Sequence, residues 1–243
     1  MDLRRYGLPT EREGHLVSAV SRRSGLFIAL AAVVAGLLLL TAAPAHAAVV
    51  VAAWNMEDTG SKMADSSGRG HTGTLHGVTV RQPGQPGFGY GFNGKPSYAT
   101  VPSGADFSPG TANIRISLSV RFSVLPSAAV GDYDLLRRGL STTAGGDYKL
   151  EILGSGRAFC LFRGSGGPVS LSAGPNLADN RWHSLGCARI GKSVVLTIDG
   201  VAFTKAGTTG TIANTSAVFI GAKDGAGNDQ YRGLMDSVSI SVG

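Results

Sequence analysis

The chain has 243 residues, 36 of them glycine, with 16% charged residues and a formal net charge of +6. Its lysines and arginines form no run or cluster, so the composition speaks against a nucleic-acid-binding protein. The sequence contains no His-Glu-x-x-His and no Gly-x-Ser-x-Gly, and so gives no support to zinc or serine-nucleophile chemistry.

The first predicted element is an export leader. Arg22 and Arg23 precede an uncharged apolar stretch over residues 25–43, and Ala45-His46-Ala47 follows as a small-x-small cleavage site. A positive flank, an apolar core and an A-x-A end are the parts of a secretory signal peptide. The core is also near the length that spans a bilayer, so membrane attachment through an uncleaved segment is the alternative. Cleavage near Ala47 divides the chain into an N-terminal extension with its signal segment, 1–47, and one mature domain, 48–243. That domain has 17 basic and 13 acidic residues.

Helical periodicity is hard to find after residue 48, whereas short period-two stretches recur between Gly, Pro, Asn and Asp clusters. Strands are predicted over 49–54, 72–78, 89–92 and 98–101. The cleanest is 114–122, where Ile114, Ile116, Leu118, Val120 and Phe122 alternate with Arg115, Ser117, Ser119 and Arg121. One face is buried and the other wet. Further strands are predicted over 133–137, 148–152, 158–163, 169–172, 182–189 and 194–198. The last of these runs into Asp199-Gly200, a two-residue hairpin turn whose central positions need φ > 0. Strands over 201–203 and 217–220 follow. In the final strand Leu234, Val238, Ile240 and Val242 are expected on one face. So many strands without a helix predict an all-β fold, a two-sheet antiparallel sandwich. Cys160 and Cys187 fall in separate strands. An even count in an exported domain favours a disulfide over two buried thiols, and requires the two strands to be neighbours.

Several motifs occur in a fixed order: Trp54-Asn55-Met56-Glu57, Asp65-Ser66-Ser67-Gly68-Arg69-Gly70, Trp182-His183, Asp199-Gly200 and Tyr231-Arg232-Gly233-Leu234-Met235-Asp236. This series resembles bacterial laminin G-like domains of the concanavalin A-like superfamily. Met56 replaces the aromatic residue usual in the first motif. The resemblance implies a jelly roll that binds carbohydrate or protein ligands and often carries one structural Ca²⁺. The Ca²⁺ ligands it implies are the carboxylates of Asp65 and Asp236, with carbonyls of Gly70 and Thr72. Strand parity independently places Asp236 on the core face, where a carboxylate must be paired, hydrogen-bonded or metal-bound. Without metal, Asp65 caps its own turn and Asp236 accepts backbone amides.

Catalysis is not expected. A glycosidase needs two carboxyl groups flanking the bond, and the mature domain has only Glu57 and Glu151 as glutamates, in separated segments. Most aspartates lie in predicted turns. Trp54 and Trp182 are read as interior residues. The ligand-binding candidates are Tyr133, Arg137, Arg138 and Tyr148. The expected partner is an extracellular glycan or polysaccharide. A cell-surface protein contacted by an interaction or envelope-structural domain is the alternative, and a divergent polysaccharide hydrolase or lyase is a third.

Overall fold

A computed structural model describes residues 47–127 and 131–243. The predicted leader lies outside the described residues. Among those described, no helix is long and apolar enough to cross a membrane.

The described residues form sixteen strands and one 3₁₀ turn, Ala105–Phe107. The strands are β1 (Val49–Trp54), β2 (Lys62–Met63), β3 (Gly73–His76), β4 (Thr79–Pro83), β5 (Phe88–Asn93), β6 (Tyr98–Val101), β7 (Ile114–Arg121) and β8 (Tyr133–Arg138). They continue as β9 (Asp147–Ile152), β10 (Ala158–Gly164), β11 (Gly167–Ala173), β12 (Trp182–Ile190), β13 (Ser193–Ile198), β14 (Val201–Ala206), β15 (Val218–Ile220) and β16 (Arg232–Val242). Two antiparallel eight-stranded sheets result. Sheet A has the order β14-β13-β12-β7-β16-β5-β4, with β1 also pairing to β16. Sheet B has the order β11-β10-β9-β8-β15-β6-β3-β2. The central strand β16 is long enough to hold β5 along its first half, through Arg232↔Asn93, and β1 along its second, through Val242↔Val49.

Alternation builds the core. In β7 Ile114, Ile116, Leu118 and Val120 are buried and the intervening residues are not. They share one hydrophobic core with Tyr148, Leu150 and Ile152 of β9 and Ala158, Cys160 and Phe162 of β10. Asp199 and Gly200 both adopt the positive φ that their hairpin requires, +48° and +83°. Cys160 and Cys187 form the expected disulfide, with Cα atoms 5.4 Å apart. Their strands are neighbours across the two layers and do not pair within one sheet, so the bond ties sheet B to sheet A. The chain-entropy model gives such a loop about 3–4 kcal/mol.

Three expectations need correction. The edge strand β4 was not predicted, because its residues are exposed or only half-buried, it ends in Pro83, and Arg81 interrupts it at φ +58°. The single face expected for the last strand is broken by a bulge between Asp236 and Ser239, with Ser237 at φ +54°. Met235, Val238 and Ile240 are therefore buried, while Leu234 is only half-buried and pairs with the outward Arg121. Trp54 is fully buried, but Trp182 is half-buried and also pairs with Arg121, on the outer face of sheet A.

Candidate functional site

The outer face of sheet B carries a cross-strand set of charged and apolar side chains. Cross-strand register places Phe219, Arg137 and Lys149 in one row, with Leu161 beside Lys149. Asp134, Glu151 and Phe159 form the next row. None of these belongs to the alternating positions of β9 and β10 that fill the core. Two adjoining hollows of about 180 and 450 Å³ open over this face and share Arg137, Leu140 and Lys223. Phe219, Thr143 and Ser216 line the smaller, and Leu161, Pro168, Lys149 and Arg163 the larger.

Each cation in this groove sits over a carboxylate. Arg137 donates from Nε to Asp134 (2.8 Å) and from Nη2 to Glu151 (2.9 Å). Lys149 also pairs with Glu151. Arg163 donates from Nε to Asp147 (2.5 Å) and from Nη2 to the carbonyls of Leu140 and Thr143. Lys223 lies 3.2 Å from Asp229. The side chains of Asp134, Glu151 and Asp147 are 0–3% exposed, against 18% for Lys149, 23% for Arg163 and 38% for Lys223. Asp134, Glu151 and Asp147 therefore form the floor beneath the donors, while Asp224 is a half-buried carboxylate in the lining of the smaller hollow. Burial and the nearby charge of Glu151 push the Asp134 carboxyl well above its usual range, against the pull of Arg137. Asp134 Oδ1 has no hydrogen-bond partner among the described residues. Burial alone would lower Arg137, but its two carboxylates outweigh burial and raise it.

Of the sequence-predicted ligand residues, the structure places only Arg137 in this groove. Its neighbour Arg138 is fully buried on the other side of β8. There its guanidinium donates to the carbonyls of Phe107 (2.7 Å), Asn214 (2.5 Å) and Ser216 (3.1 Å), closing the loops at one end of the sandwich. Tyr148 is fully buried and donates to Phe107 O. Tyr133 is 3% exposed and packs edge-on against Phe122 and Tyr231. Burial removes all three from any exposed ligand surface. The alternation of Tyr148, Leu150 and Ile152 with Asp147, Lys149 and Glu151 already carried this signal. Sequence separation hid the other half of the site: Glu151 is directly opposite Asp134.

The implied metal ligands do not form a ready cation site. Asp65 Oδ1 accepts from the amides of Ala53 (3.0 Å) and Ser67 (2.9 Å). Its Oδ2 accepts from the His71 amide (2.8 Å) and the Ser67 hydroxyl (2.9 Å). Four donors fill the carboxylate's acceptor capacity. Burial pushes this carboxyl up, but the three amides and the hydroxyl outweigh it and hold it below its ordinary value. Asp236 is 1% exposed, and its Oδ2 accepts from the Gln85 amide at 2.6 Å while Ser237 Oγ donates to Oδ1. Asp65 and Asp236 thus share no partner. Gly70 holds φ +80° within the turn, and Thr72 leads into β3. Among the described residues no group of three His, Cys, Asp or Glu side chains is arranged for a metal ion. Amide donors stand where Ca²⁺ would have to bind, so these residues do not fit the ion.

Comparison with known proteins agrees with the fold. The family model Laminin_G_3, of the concanavalin A-like lectin/glucanases superfamily, matches residues 93–242. No curated protein sequence matches the chain. Among solved structures, the binding domain of Paraclostridial Mosquitocidal Protein 1 superposes with TM-score 0.63 at 16% identity, covering 79% of this chain and 48% of that one. The chain thus spans about half the length of that structure. Domain 4 of AbnA, an extracellular arabinanase from Geobacillus stearothermophilus solved with arabinotriose, gives TM-score 0.57 at 18% identity, covering 81% and 93%. Trypanosoma rangeli sialidase gives 0.58 at 18% identity, covering 79% and 30%. At these identities the likeness is one of fold.

Proposed function

The chain belongs to the concanavalin A-like lectin/glucanases superfamily, and from that premise we propose that it is an extracellular, non-catalytic module that binds an uncharged glycan in the groove of sheet B. The observation that carries this reading is the layering of that groove. Leucine and proline walls accept the C–H face of a sugar ring. Arg163, Lys149 and Lys223 offer N–H donors to its hydroxyls. The buried carboxylates hold the cationic donors in place, so little side-chain order is lost on binding. Because the charges are largely matched within the protein, the groove favours hydroxyl recognition over attraction of an anion.

Asp134 and Glu151 are an acid pair by position, yet both contact Arg137 and both are buried. A glycosidic oxygen has no route to them, which supports binding over hydrolysis. Extracellular location is supported by the inter-sheet disulfide and by the leader sequence. The arabinanase domain, solved with arabinotriose on a similar fold, supports a glycan ligand by analogy.

Affinity electrophoresis through gels containing soluble neutral polysaccharides tests the proposal. At least one polymer is expected to retard the protein, and Leu140→Asp or Lys223→Ala is expected to abolish the retardation while leaving the circular dichroism unchanged. No retardation by any polymer, with capture of cell-surface proteins that sugars do not compete, would favour a protein-interaction domain.

A further inference from the structure

A second hollow, of about 420 Å³, lies on the outer face of sheet A, across the strands β4, β5, β16 and β7. Register builds it. Leu234 of β16 pairs with Gly91 on one side and Arg121 on the other. Arg232 precedes Leu234 by two residues and so shares its strand face. Gly91 provides the floor: a Cβ there would come within 3.1 Å of Gln82 Cγ and 3.6 Å of Thr79 Cβ, and would fill the space.

Arg121 and Arg232 both line this hollow, and no carboxylate does. Arg121 donates from Nε to the carbonyl of Asn180 (2.9 Å) and to its side-chain oxygen (3.1 Å). Among the described residues its terminal nitrogens have no partner, and Arg232 has none at all. The buried or groove-lining arginines Arg137, Arg138, Arg163 and Arg189 are, by contrast, satisfied. Arg137 and Arg163 rest on carboxylates. Arg138 and Arg189 donate to loop carbonyls. Two like charges on diagonal positions of one sheet face repel, and among the described residues lining the hollow no carboxylate balances them. The remaining lining is mixed. Asn180, Gln82 and Ser123 offer hydrogen bonds, and Val124, 41% exposed, offers an apolar edge. A bare inorganic anion would use the arginines and leave that wall unused.

We propose that this hollow is a second binding site, for a sugar residue that carries an oxyanion, either a carboxylate or a sulfate ester. The guanidinium groups of Arg121 and Arg232 take the oxyanion, since arginine matches planar and tetrahedral oxyanions through paired N–H donors. Asn180 and Gln82 take ring hydroxyls. The site is separate from the groove of sheet B and stands independently of it.

Isothermal titration calorimetry of the purified protein with tri-galacturonate, its uncharged methyl ester, a sulfated disaccharide and sodium sulfate tests the proposal. At least one acidic sugar is expected to bind, and the two sugars together tell carboxylate from sulfate. Arg121→Gln and Arg232→Gln are each expected to weaken that binding at least tenfold with unchanged circular dichroism, and Leu140→Asp, in the other groove, is expected to leave it intact. Tri-galacturonate, if it is the ligand, loses at least tenfold on esterification. The proposal is overturned if no acidic sugar binds, if the ester binds as well as the acid, or if both glutamine variants bind normally. Sulfate alone binding as tightly as the sugars would reduce the hollow to a simple anion site and overturn the sugar assignment.

Discussion

Two basic hollows lie on opposite outer faces of the sandwich, and they differ in what stands behind their cations. In sheet B, Arg137, Lys149, Arg163 and Lys223 each contact a carboxylate, and three of those four partnerships reach carboxylates that are almost fully buried. In sheet A, Arg121 and Arg232 have no ion pair among the described residues and line a hollow without a carboxylate. The same residue type therefore has two uses. Matched cations act as fixed hydrogen-bond donors, and unmatched cations leave a charge for a ligand to balance.

The largest effect expected from this difference is on stability. Arg137→Ala leaves Asp134 and Glu151 buried without their shared partner, a loss of about 3–5 kcal/mol. Arg232→Ala strands no buried charge and should stay within about 0.5 kcal/mol of wild type. Urea unfolding of the two variants measures both, and equal losses would erase the distinction. Next comes the scaffold beneath the groove. Replacing both Cys160 and Cys187 with alanine should lower stability by about 3–4 kcal/mol and leave ligand affinity in both hollows unchanged at a temperature where the variant is folded, as calorimetry would report.

Asp65 offers a third arrangement, an anion met by amides. Asp65→Ala should cost about 2 kcal/mol, from the loss of charge-assisted hydrogen bonds. EDTA should leave the melting temperature of the wild type unmoved, and a drop on chelation would reinstate a metal at this turn.

The smallest effect is one of pH. His183 lies between Asp199 (2.7 Å from Nδ1) and Asp179 (3.0 Å from Nε2), next to the Asn180 turn that borders the sheet A hollow. Partial burial opposes its charge, but the two carboxylates prevail and raise its pKa above the ordinary 6.5. Because the folded value is the higher one, its stabilisation is complete below pH 6.5 and is lost as the pH rises through the folded value. Melting temperatures from pH 5.5 to 9 should therefore show a modest decline in this range, absent in His183→Gln.

Much of this was legible in the chain. The strict alternation of 114–121, the Asp199-Gly200 turn and the cysteine pair each encode a local or compositional constraint, and each is met in the structure. The crossing of the disulfide between layers was not legible, because stacking is decided by strands far apart in sequence. Arg137 and Arg138 show the limit most clearly. Alternation requires that neighbouring residues face opposite ways, but Leu135 and Leu136 are both buried at a bulge opposite Glu151 and Leu150. That one extra residue decides which arginine reaches the groove and which is buried among carbonyls. The bulge at Asp236–Ser239 likewise turns Leu234 outward and Met235 inward, and with them sets the floor of the sheet A hollow.

The claim on which the functional account rests is that the matched groove of sheet B is the face that binds uncharged glycan. A crystal structure with an oligosaccharide of the polymer that retards the protein tests it most directly. The account predicts a sugar ring against Leu140 and Leu161, with its hydroxyls bonded to Arg163 or Lys223. Sugar bound solely along the serine-rich strands of sheet A, or at the Asp65 turn, with the groove left to solvent, would contradict it.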